Sequence, residues 1–222
     1  MRRVALLPGL ALASALACTL KGDGEPGLMT REVAVFDAVE VFDNFTVTLA
    51  VDTTMAAPQA IELKFSGDSN ALGRLFAAVH EVDTLSVGVD PNTLTELDLA
   101  PTMSARVPAL RRVYAEDAAV LEVSGARERL EVELHEAATL TVQGEQAVAV
   151  DVLVDDDAGL TLRGEGPSLN IVSSGNATID ASGFAAEAVR VEHSGTGEVL
   201  VCATATIVKF GPGAKYVRLA CT

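Results

Sequence analysis

Tryptophan is absent from the 222 residues, and aromatic side chains make up only 4% of them. A core assembled around large rings is thereby excluded. Val, Leu and Ala carry the apolar mass, which suits aliphatic side chains stacked in rows. Basic residues are also scarce: 16 Lys+Arg stand against 31 Asp+Glu, a net charge of -15. Such a surface repels phosphate backbones and anionic membrane faces, so no nucleic-acid partner is expected. Its first role is solubility. No apolar run reaches the ~20 residues that a membrane-spanning helix needs.

The N-terminus carries a shorter run. Met1-Arg2-Arg3 is basic, Val4 to Leu16 is mostly apolar, and Ala15-Leu16-Ala17 is a small-x-small cleavage site. We read residues 1–17 as an export signal. Cys18 follows the cleavage point and resembles the acylated cysteine of bacterial lipoproteins, although Ala15 and Leu16 depart from the usual lipobox. The expectation is a lipid on Cys18 and attachment to a membrane on the periplasmic side or at the cell surface. Ordinary secretion is the alternative. Cleavage removes Arg2 and Arg3 and leaves 14 Lys+Arg against 31 Asp+Glu, or -17. Residues 18–30 are polar and Gly-rich and read as a tether. Residues 31–222 form the domain.

Only three cysteines occur, Cys18, Cys202 and Cys221. With Cys18 acylated, two remain in an oxidising compartment. They lie one repeat apart, and neighbouring strands sit about 4.8 Å apart, which suits a Cys202–Cys221 disulfide. The alternative is two free buried thiols.

The chain does contain a repeat. Gly125, Gly144, Gly164 and Gly183 recur at steps of 19, 20 and 19 residues. Two and four residues before each lie Val123 and Leu121, Val142 and Leu140, Leu162 and Leu160, Ala181 and Ile179. A second alternating run precedes these: Leu130, Val132, Leu134; Val150, Val152, Val154; Leu169, Ile171. The period predicts a coil of short parallel strands whose apolar faces stack, in about six rungs: 111–125, 130–144, 150–164, 169–183, 189–203 and 207–221. Upstream, Val33 to Val51 alternates at odd positions and predicts a cluster of strands that caps the first rung. Leu72, Leu75, Phe76 and Val79 have helical spacing, with Ser69 as N-cap, and predict one short helix near 70–79.

Three stretches carry a family resemblance: Arg31–Val47, Val107-Pro108-Ala109-Leu110-Arg111-Arg112-Val113, and Ser174-Gly175-Asn176-Ala177 through Ser194-Gly195-Thr196-Gly197-Glu198-Val199. Together they resemble a bacterial family known as the auto-transporter adhesin head (GIN) domain. The resemblance implies an all-β, single-stranded right-handed parallel β-helix and an exported, often lipid-anchored protein. It implies no catalytic residues and no cofactor.

The chemistry-bearing residues point the same way. Asp155-Asp156-Asp157 could offer oxygens to calcium, but consecutive residues point in different directions, and a solvated turn is the simpler reading. Glu116-Asp117, Glu136, Asp155–Asp157 and Ser173-Ser174-Gly175 share an offset and predict an acidic stripe down one edge. Two such carboxylates could serve as acid and base on a polysaccharide. Arg163 is the one basic residue nearby. His80, His135 and His193 have no metal-ligand spacing, and Ser174 and Ser194 lie in turns with no nucleophile elbow. The expectation is therefore a non-enzymatic envelope protein acting as a binding, adhesive or scaffolding module, with a protein or polysaccharide partner. A polysaccharide-active enzyme using the acidic stripe is the alternative.

Overall fold

The computed structural model describes residues 20–56, 58–81, 83–90, 94–144, 149–211 and 216–219. The first-half strands are β1 (Leu20–Lys21), β2 (Pro26–Val33), β3 (Ala38–Val41), β4 (Thr46–Val51), β5 (Ile61–Asp68), β6 (Leu75–His80), β7 (Thr84–Val89), β8 (Leu94–Glu96) and β9 (Thr102–Val107). The second-half strands are β10 (Arg112–Ala115), β11 (Val120–Ala126), β12 (Leu130–Leu134), β13 (Thr139–Gly144), β14 (Val150–Val154), β15 (Gly159–Ser173), β16 (Thr178–His193), β17 (Glu198–Phe210) and β18 (Tyr216–Leu219). Strands therefore begin inside the Gly-rich segment read as a tether.

The expected single-stranded right-handed parallel β-helix with a separate N-terminal cap is overturned. While β1 and β8 pair with each other, the other sixteen strands form one large sheet of mixed orientation, bent round until it is nearly closed and barrel-shaped. Its order runs β2-β5-β9-β4-β11-β13-β15-β14-β12-β10-β3-β7-β6, with β16, β17 and β18 beyond β15. The bend lies at β15, which pairs β13 through residues 159–163 and β14 through residues 169–173. Three pairings are antiparallel, β2 with β5, β5 with β9 and β6 with β7. The N-terminal strands do not sit on the repeats as a cap. They extend the same sheet, with Val39 opposite Val113 and Val47 opposite Leu121.

What the period does specify is register. Val47, Leu121, Leu140, Leu160, Ile179, Val199 and Val217 lie opposite one another across successive parallel strands. All but Val217, whose side chain lies outside the described residues, are buried. The recurring glycines follow from close approach at the corner. Gly125 has φ +75°, and a Cβ there would lie 2.5 Å from the Val51 carbonyl oxygen. At Gly164 (φ +130°) it would lie 2.6 Å from the Gly144 carbonyl oxygen.

The expected helix near 70–79 is also corrected. Leu72–Arg74 is a single 3-10 turn with no side-chain cap, and Leu75–His80 is strand β6. Ser69 donates instead to Asp23, at 2.7 Å. Leu75, Ala77 and Val79 face Val89, Val87 and Leu85 across the hairpin. That apolar contact and the ladder bonds override a local helical spacing.

The sheet's two long edges, β2 and β6, return toward each other. The Arg31 guanidinium spans the seam. It donates to the carbonyl oxygens of Leu75 at 2.8 Å and Leu72 at 3.2 Å, and lies over the Phe65 ring at 5.4 Å. Among the described residues no helix is long and apolar enough to cross a membrane.

Candidate functional site

The turns between consecutive strands stack as regularly as the strands. Asp117, Glu136, Asp156 and Gly175 all have positive φ, at 60°, 58°, 53° and 65°. Each begins a tight turn closed by a backbone bond, such as Ala138 N–H to the His135 carbonyl at 3.1 Å and Ala158 N–H to that of Asp155 at 3.1 Å. The ladder also continues through the turns: Ala137 N–H donates to the Asp117 carbonyl, and Asp157 N–H to that of Glu136, both at 2.9 Å. This continuity holds non-glycine residues in a left-handed conformation that costs roughly 1–3 kcal/mol each.

The consequence is the acidic stripe that the sequence predicts. Asp117, Glu136 and Asp156 stand one strand spacing apart, about 4.8 Å. The Asp117 charge beside it, then some loss of hydration, hold the Glu136 carboxyl above its ordinary range. Asp155 accepts from His135 Nδ1 at 2.8 Å, and His135 Nε2 meets Glu133 at 3.1 Å. Burial lowers the affinity of that imidazole for a proton. The two carboxylates outweigh this and raise it overall. Arg163, which the sequence places beside the stripe, pairs instead with Asp180, at 2.6 Å from Oδ2. With Ser182 also donating to it, the Asp180 carboxyl is held down to about 2.

At its upper end the stripe opens into two clefts that share Asp43 and Asp117. One, of about 560 Å³, is also lined by Asn44, Glu96, Asp98 and Pro101. The buried Asp68 carboxylate builds its wall, accepting from the N–H groups of Asp98 at 2.9 Å and Leu99 at 3.1 Å. The other, of about 620 Å³, is lined by Phe42, Phe76, Gly88 and Leu75 together with Arg74 and Glu116. Phe76 is 46% exposed. The Phe42 ring continues into a row, 5.9 Å from Tyr114, which is 5.4 Å from His135. The Asp43 carboxylate accepts from Val89 N–H at 2.9 Å, and Asp43 N–H donates to Asp117 at 3.1 Å.

The remaining predicted residues fall elsewhere. Cys18 and Cys221 lie outside the described residues, and Cys202 is half-buried on β17 opposite Ala185. His193 is 1% exposed, with Nε2 donating to the Gly197 carbonyl at 3.2 Å and Ser173 Oγ on Nδ1 at 2.8 Å. His80 packs on Ser86, whose hydroxyl donates to Glu40 at 2.9 Å. Among the described residues no group of three His, Cys, Asp or Glu is arranged to hold a metal ion. Sequence reasoning missed the paired clefts. Phe42, Phe76 and Glu116 come from segments far apart in the chain, and no local pattern joins them.

Among the solved structures that share the fold are the following three. A "putative adhesin" from Bacteroides fragilis is 18% identical, covers 87% of this chain and 93% of its own, and superposes with a TM-score of 0.64. A "putative lipid binding protein" from Parabacteroides distasonis is 11% identical, with 91% and 96% coverage and a TM-score of 0.62. A "putative adhesin" from Parabacteroides merdae is 12% identical, with 90% and 98% coverage and a TM-score of 0.56. No curated protein matches the sequence. The family profile "Putative auto-transporter adhesin, head GIN domain" matches residues 35–208. The chain therefore belongs to the auto-transporter adhesin head (GIN) domain family.

Proposed function

We propose that this protein is a non-enzymatic binding module of the bacterial cell envelope, exported by the signal in residues 1–17 and held to a membrane by lipid on Cys18. Family membership over residues 35–208 is the observation that carries the binding role. The arrangement of the carboxylates supports it. They stand on open turns at a constant spacing, a surface that repeats a contact, and Glu136 gains its proton affinity from like charge beside it. A Cys202–Cys221 bridge belongs to the same proposal and ties the last strands of the sheet. The partner is a protein or polysaccharide reached outside the cytoplasm.

Mass spectrometry of the protein recovered from membranes tests both chemical claims. The expected mature chain starts at an acylated Cys18 and is two protons lighter than its fully reduced form. A mature chain without lipid refutes the anchor, and a mass unchanged by reduction refutes the bridge. Replacing Glu116, Asp117 and Glu136 by their amides tests the enzyme alternative: polysaccharide hydrolysis that this change abolishes would overturn the non-enzymatic reading.

A further inference from the structure

We propose that the paired clefts dock a basic segment of a partner protein, with one Lys or Arg side chain entering the groove between Phe42 and Phe76. The proposal rests on the binding-module reading above and names the chemistry of the partner. Two independent features of the site carry it. One is charge. Asp43, Asp90, Glu96, Asp98, Glu116 and Asp117 line the two clefts, and Arg74 is the single cation among the described lining residues. Two clefts sharing a wall of one sign concentrate counter-charge between them, and Asp117, Glu136 and Asp156 prolong that field down the edge.

The second feature is apolar. Phe42 follows β3 and donates its N–H to the Val87 carbonyl on β7, which sets it beside Gly88, and Phe76 is opposite Gly88. The rings thus stand on either side of a position with no side chain, two strand spacings or about 9.5 Å apart at the backbone. A lysine stem or a guanidinium plane can lie on such rings while its charged end reaches the lining carboxylates. A neutral glycan could stack on the rings but would bring no positive charge to the carboxylates that line the clefts. An acidic glycan would be repelled.

A fluorescein-labelled peptide alternating Gly and Lys, four of each, is the probe. Its anisotropy is read with the full chain at about 20 mM and about 150 mM NaCl, between which screening lengthens or shortens the reach of the charges. Binding is expected, weaker at the higher salt. Phe76→Ala should weaken it about threefold or more, and Glu116→Gln with Asp117→Asn about three- to tenfold. Asn tolerates the left-handed backbone at 117. Arg74→Glu should tighten binding about threefold, a gain that unfolding cannot produce. Three results overturn the proposal. One is no binding at about 1 mM chain, the weak limit of specific recognition. Another is binding that none of these substitutions changes, meaning diffuse attraction to an acidic surface. The third is a neutral β-glucan hexasaccharide binding in a Phe76-dependent way while the peptide does not. An acylated Cys18 together with any of these would leave the anchored-module reading standing and remove only this one.

Discussion

The guanidinium of Arg31 donates to the carbonyl oxygen of Leu75 at 2.8 Å across the gap between two strands that share no ladder bond. A second donation to Leu72, and the Phe65 ring beneath, fix the fork in place. This one side chain does at the seam what a strand pair does elsewhere.

Arg31→Ala should therefore lower the unfolding free energy by about 1.5–3 kcal/mol, the range for hydrogen bonds from a charged donor. Arg31→Lys should recover little, because an ammonium lacks the fork and does not stack. Urea denaturation monitored by circular dichroism measures both. Equal stability of all three proteins would show that the seam carries no energy.

Glu136 combines a left-handed backbone with a like charge on the neighbouring turn. Glu136→Gly should raise the melting temperature, with relief of about 1 kcal/mol of backbone strain outweighing the added freedom of the unfolded chain. The reverse change two turns on, Gly175→Ala, should destabilise, since a Cβ there would lie 2.7 Å from the backbone of Asp156. Calorimetry of the two variants should show shifts of opposite sign.

The Arg163–Asp180 pair predicts an acid limb. Hydrogen bonds from Arg163 and Ser182 hold the Asp180 pKa down to about 2, below its ordinary 3.8. Its contribution is thus complete above pH ~4 and is lost as the pH falls from ~4 through ~2. Glu136 has the opposite sign. Its raised pKa means that what stability it contributes is present below its ordinary value of 4.5 and lost as pH rises through the folded value. Arg163→Met should flatten the decline between pH ~4 and ~2, and Glu136→Gln should remove the small loss above ~4.5. Urea midpoints measured at intervals across this range would reveal either failure.

Leu160 sits between Leu140 and Ile179 in the register, 2% exposed. Leu160→Ala should cost about 2–5 kcal/mol, the loss of buried methyl groups plus a cavity. Val172, 47% exposed one strand-length away on the same β15, should cost under ~0.5 kcal/mol when made Ala. Chemical denaturation should separate the two plainly.

The contrast between those two residues shows what a sequence can disclose. Alternation told which side chains of Leu160–Leu162 and Leu169–Ile171 turn inward, and the glycine period told which residues neighbour one another, because both depend on local geometry. Strand direction was legible in the repeats, where the period implied parallel pairing, but not in the first half. An apolar alternation reads the same in a parallel or an antiparallel pair, so nothing in Ile61–Phe65 announced that it runs opposite to Met103–Ala105. Leu72 to Val79 was misread because helical spacing and a hairpin's inward residues coincide over so short a run. The acidic stripe was visible because its members share the repeat offset. The groove was not, since Phe42, Phe76 and Glu116 meet only after the sheet has bent back on itself.

The register also divides the molecule by loop length. Val113 meets Val132 after 19 residues of intervening chain position, but Val39 only after 74. Short closures are entropically cheap, and each additional repeat adds the same small cost, whereas joining the first strands to the repeats requires a long excursion to be tamed. The rate at which the finished domain assembles should accordingly be governed by the capture of Val39 and Val47 rather than by the winding of the repeats.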